Sequence, residues 1–83
     1  MSYKNIQENI KALPNPFKNP QEIMLAATEE LGEVAQEVSL LEKVGTKVNW
    51  EKEPSKERLA EEIKNTINCL AALANYYDID LEF

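Results

Sequence analysis

Helix breakers divide this chain so that two long stretches, and little else, can run as helix. The punctuation consists of four prolines, Pro14, Pro16, Pro20 and Pro54, and two glycines, Gly32 and Gly45. Tyr3 to Leu13 reads as a short helix, and the cluster from Pro14 to Pro20 disfavours its continuation, so residues 14–20 read as a turn-rich linker. Asn19 followed by Pro20 has the form of an N-cap and a first-turn proline. From Pro20 to about Val44 the apolar residues Met24, Ala27, Leu31, Val34, Val38 and Leu41 recur at steps of three and four, the period of an amphipathic helix. Gly45 reads as its C-cap, and Thr46 to Pro54 as a polar loop carrying Val48 and Trp50. Ser55 then caps a second long helix, with Arg58 where a full capping box would place Glu or Gln. Its stripe is Leu59, Ile63, Thr66, Ile67, Leu70, Leu73, Ala74 and Tyr77. It is expected to end near Asp78, with room for one further short turn before Phe83.

The expected fold is therefore all-α, with one domain spanning residues 1–83. Residues 1–19 supply a short N-terminal helix and proline-rich linker, and residues 20–83 form a hairpin of two long helices. Helices joined by a loop of about ten residues usually pack antiparallel. A hairpin of this size cannot bury both stripes, since surface-to-volume scaling leaves so small a core marginal. Self-association into a four-helix bundle, as a homodimer or homotetramer, is the expected completion.

Composition narrows the chemistry. The single cysteine, Cys69, rules out an intrachain disulfide, and the absence of histidine rules out histidine catalysis and most zinc sites. It also argues against di-iron bundles, whose helices carry Glu-x-x-His. With 9 basic against 15 acidic residues the net charge is −6, a field that repels long nucleic acid. A small anionic substrate stays compatible, because a bound divalent cation reverses the field locally. No apolar run approaches the ~20 residues of a membrane span and no signal-peptide core is present, so the expected location is cytoplasmic.

Two acidic words sit inside the helices: Glu29-Glu30-Leu31-Gly32-Glu33 and Glu61-Glu62-Ile63-Lys64-Asn65. Each places an acid and a second oxygen donor three residues apart, hence nearly on one helix face. On the wheel Glu30 and Glu33 border the apolar arc, as do Glu62 and Asn65, the latter pair accompanied by Cys69, Ala72 and Tyr76. Glu29, Gln36 and Glu61 project farther toward solvent, and Glu37 lies close to Glu30. Acids are common on helix surfaces, and some always fall beside an apolar border. Several carboxylates crowded into a low-dielectric seam nevertheless repel one another, so a cation or basic side chains must compensate them. Hard divalent cations take such oxygens, and magnesium binds through a few carboxylates together with substrate phosphates.

Glu-Glu-x-x-Glu on one helix and Glu-x-x-Asn on the next resemble the paired motifs of the MazG-like all-α nucleotide pyrophosphohydrolases. The surrounding phrases are similar too, in Leu25 to Ala35, in Leu59 to Ile63 and in Tyr77 to Glu82. The resemblance runs from about Pro20 to the C-terminus. It implies hydrolysis of a nucleoside triphosphate between its α and β phosphates, giving the monophosphate and pyrophosphate. It also implies magnesium, or manganese, held by Glu30, Glu33, Glu62 and Asn65. Glu29 and Glu61 would be the catalytic candidates, as a base or water-orienting group beside the metal.

The chain departs from the family pattern twice. Asn65 stands where the family has aspartate, which removes one negative charge from the site while leaving an amide oxygen. Phe83 also stands where many relatives continue into a basic tail that reaches the phosphates. Lys43, Lys47, Lys52, Lys56 and Arg58 are the remaining cations near the loop, each also readable as a solvated surface residue. Lys47 and Lys52, with Trp50 as a ring that can stack on a base or cap the core, are the substrate-binding candidates. Two other readings fit the same scaffold: a noncatalytic helical interaction module, and a regulator that senses nucleotides without hydrolysing them.

Overall fold

The computed structural model describes residues 2–14, 17–45 and 52–82. Three helices follow one another, α1 (Tyr3–Lys11), α2 (Pro20–Glu42) and α3 (Lys56–Tyr76), and no strand occurs among the described residues. The all-α expectation holds. Each start is capped by a polar side chain that accepts a backbone N–H: Ser2 from Asn5, Asn19 from Glu22 and Ser55 from Arg58. Pro20 occupies the first turn of α2, where its missing N–H is not needed.

The ends differ in detail from the sequence reading. α2 stops at Glu42, and the left-handed residue that closes it is Lys43 (φ 57°), while Gly45 (φ 81°) lies beyond the cap. Val44 N–H reaches back to the Ser39 carbonyl at 3.1 Å, the wrapped ending of a Schellman-type stop, which sets the cap earlier than glycine placement suggested. α3 ends at Tyr76, and the described tail residues, 77–82, are not helical. The tail is tied down by Gln7 of α1, a buried residue, which donates to the Asn75 side chain (3.0 Å) and the Ile79 carbonyl (2.7 Å) and accepts from Leu81 N–H (3.1 Å). Asn75 returns a bond to the Gln7 carbonyl at 3.0 Å.

α2 and α3 pack antiparallel: Glu37 meets Arg58 at one end, and Gln21 and Leu25 share a wall with Leu73 and Tyr77 at the other. α1 packs on α3. The interior is small, comprising Ile23, Ala27, Leu40, Ala71, Ala72 and Ala74, of which only Ile23 and Leu40 are large. Alanines let the helices approach closely but bury little area.

The buried face of α2 coincides only in part with the stripe expected from periodicity: Ala27 is buried and Val34 and Leu41 are half-buried. Met24, Leu31 and Val38 are 45%, 59% and 42% exposed, as are Ile63, Ile67 and Leu70 of α3 at 43–49%. The apolar arc of each helix is wide enough to serve two faces. Its Ile23, Ala27 and Glu37 edge turns inward, and its Met24, Leu31 and Val38 edge turns out. The acids noted at the border of the arc consequently lie in the seam between the helices.

Candidate functional site

Midway along the α2–α3 seam, one carboxylate oxygen from each of Glu30, Glu33 and Glu62 lies within 4.8 Å of the other two. The cause is local: Glu30 and Glu33 are one turn apart on α2, and antiparallel packing sets Glu62 opposite them. Glu30 and Glu62 are half-buried, and Glu33 is exposed at the rim. Glu30 Oε2 and Glu62 Oε2 are shielded from solvent and find no hydrogen-bond partner among the described residues. Buried oxygens are nearly always partnered, so two orphans in one cluster mark an uncompensated site.

Electrostatics register the crowding. The Glu62 carboxyl is pushed up to about 7, first by sharing a proton with Glu33, then by burial, with Glu30 adding to both the hydrogen bonding and the charge repulsion. Burial also pushes the Cys69 thiol upward, helped by the negative charge of Glu30, which places that thiol within the field of the cluster. Three oxygens of this type suit a hard divalent cation, whose charge would relieve the repulsion.

The other acids are disposed differently. Asn65 follows Glu62 by one turn and is exposed. Glu29 is exposed, and Glu61 is exposed and faces Lys64 at 3.6 Å along the same helix; neither belongs to the three-carboxylate cluster. Lys52 is exposed, while Lys47 and Trp50 lie outside the described residues.

Arg58 is the residue whose role sequence reading missed. Its Nε donates to both Glu37 oxygens at 3.1 Å and its Nη2 to the Glu53 carbonyl, so it is an ion-pair partner and not a solvated cation. Glu37 is 6% exposed, and the guanidinium supplies the partner that a buried carboxylate needs. The available signal was spacing: Glu37 lies two turns after Glu30 on one face, and Arg58 one turn before Glu62 on the facing one. This pair places a cation at one end of the acid cluster and fastens the start of α3 to α2.

No protein-family model, curated protein or solved structure matches this chain. A functional assignment therefore rests on the geometry of the seam and on the motif residues.

Proposed function

We propose that the protein is a magnesium-dependent nucleoside triphosphate pyrophosphohydrolase of the MazG-like type, cleaving between the α and β phosphates. The observation that carries this reading is the convergence of Glu30, Glu33 and Glu62 with two orphaned buried oxygens. Those residues, with the Asn65 amide oxygen, would hold magnesium or manganese. When bound, the ion supplies polarisation of a phosphoryl oxygen and acidification of a water. Glu62 must give up its shared proton for the cation to enter, so occupancy rises with pH through the neutral range. Glu29 and Glu61, outside the cluster, are left to take a proton from the attacking water or to orient it. The out-turned residues Met24, Leu31, Ile63 and Ile67 give the hairpin an apolar face suited to a second copy, which would complete a four-helix bundle.

The test is pyrophosphate release from a panel of nucleoside triphosphates with magnesium, with manganese and with chelator, using Glu62→Gln as control. Metal-dependent release that disappears in the control is expected. No release from folded protein across the panel would transfer the assignment to the noncatalytic module or, if metal and nucleotide still bind, to the nucleotide-sensing regulator.

A further inference from the structure

Past the acidic stripe, Asn65, Cys69, Ala72 and Tyr76 follow Glu62 down one face of α3 in helical steps of three and four. α1 lies over the end of that face, and among the described residues it packs on α3 and not on α2. The fit is unlike that of a core helix. Gln7, an amide, is the buried residue of α1, while Ile6 and Ile10 are half-buried and Tyr3 and Leu13 are 61% and 60% exposed. Between α1, the linker and α3 lies a cavity of about 360 Å³, walled by Ile10, Leu13 and Phe17 on one side and by Cys69, Ala72 and Tyr76 on the other. Side chains that face such a gap forfeit the dispersion contacts that would weld one helix to the next.

α1 is held by hydrogen bonds to the C-terminal tail. After α3 the chain turns at Asp78, in the left-handed region (φ 54°), and Ile79 N–H closes the turn on the Ala74 carbonyl at 2.9 Å. The reversal brings Ile79 and Leu81 to Gln7, whose side-chain amide donates to the first and accepts from the second. It also brings Glu82 to the start of α1, where Oε1 accepts Lys4 N–H at 3.1 Å. Asn75 bonds Gln7 in both directions, accepting from its side chain and donating to its carbonyl. A network of this kind dictates one geometry, but each bond is worth only about two- to tenfold in an equilibrium, because water replaces it on opening. The large buried side chains, Ile23 and Leu40, belong to α2, which α1 does not touch. Undoing the network therefore leaves the packing of the α2–α3 hairpin in place.

We propose that α1 and the tail form a clasp, keyed by Gln7, that opens as one unit while the α2–α3 hairpin stays folded, and that this opening controls access to the cavity and to the Cys69 thiol on its wall. Folded domains open in contiguous units of unequal stability, and here the weakest unit joins the two ends of the described chain. The proposal stands apart from the reading of the acid cluster, since none of the three clustered carboxylates takes part in the clasp.

The experiment is native-state amide hydrogen exchange of the full chain, with Gln7→Ala and Gln7→Glu, alongside the rate of Cys69 alkylation by iodoacetamide at one pH. Alanine is the better helix former and glutamate the closest in shape, so any loosening of α1 is traceable to the lost amide. In the parent, the amides of Ile10, Ile79 and Leu81 should report one shared opening, about tenfold or more as frequent as that of Ala27 and Ala71. Each variant should raise that opening, and the alkylation rate with it, by about tenfold or more while leaving Ala27 and Ala71 unchanged. Exchange of Ile10 in step with Ala27 and Ala71 in the parent would make the molecule one cooperative unit and overturn the proposal, as would α1 amides with no protection at all. Variants that loosen all three helices equally, or that loosen α1 and leave Ile79 and Leu81 protected, would overturn it too. Alkylation at the parent rate in both variants would overturn the control of access to Cys69.

Discussion

Glu62 holds its proton in the folded protein between about pH 4.5 and pH 7 and loses it over that range on unfolding. A raised pKa of this kind stabilises fully below the unfolded value, and the contribution is lost as pH rises through the folded one. Without divalent cation, the melting temperature should therefore fall between pH 5 and pH 8, and Glu62→Gln should flatten that fall. At pH 8 the variant should melt higher than the parent by about 4–8 °C, the shift that ~1 kcal/mol makes in a domain of this size. Magnesium should raise the parent's melting temperature at pH 8 and leave the variant's alone, by linkage. Asn65 calls for the opposite substitution. Asn65→Asp adds a charge to the ligand set, and ligand charge count tunes hard-cation affinity over decades, so calorimetry should show magnesium bound about tenfold tighter. Unchanged affinity in folded Asn65→Asp protein would remove Asn65 from the ligand set. The acids and their spacing were legible in the sequence, but the shared proton was not, because it depends on how closely α3 brings Glu62 to α2.

At the scale of elements, helix starts and N-caps could be read because they are local, whereas the C-cap of α2 falls at Lys43 and not at Gly45. Asn19 and Ser55 cap where side-chain chemistry says they should, and Pro20 starts α2 for the same reason. The inward face could not be read, because a wheel reports which residues are apolar and not which neighbour covers them. Ile23, absent from the expected stripe, is fully buried, whereas Leu31, a member of it, is 59% exposed. Truncating each separates these roles. Ile23→Ala should cost about 2–5 kcal/mol in denaturant unfolding, the usual toll of a fully buried aliphatic deletion. Leu31→Ala should cost much less in protein diluted until it is monomeric. The pairing of Gln7 with Asn75 and the tail was equally invisible, since it joins residues some 68 positions apart through side-chain amides.

For the whole molecule, the decisive feature is the disparity between a core built mainly on alanine and an outer face carrying Met24, Leu31, Val38, Ile63, Ile67 and Leu70. Exposed large apolar residues, where they form one patch, suit a surface that a partner covers. If a second copy covers it, stability depends on protein concentration. Sedimentation should then show a concentration-dependent dimer or tetramer, and Leu31→Glu or Ile67→Glu should shift it toward monomer. A monomer at all concentrations in the parent would rule out the four-helix bundle. No helix among the described residues is long and apolar enough to cross a membrane. By itself the sequence determined the helices, their N-caps and the two acidic words, because each depends on residues within a turn or two of one another. Only the tertiary structure decided that three carboxylates converge with two oxygens unpartnered, that Arg58 neutralises Glu37, and that α1 walls a cavity at the end of the acidic stripe. Those depend on distances between helices, which are set by which side of each apolar arc is buried, and no periodicity within a single helix carries that information.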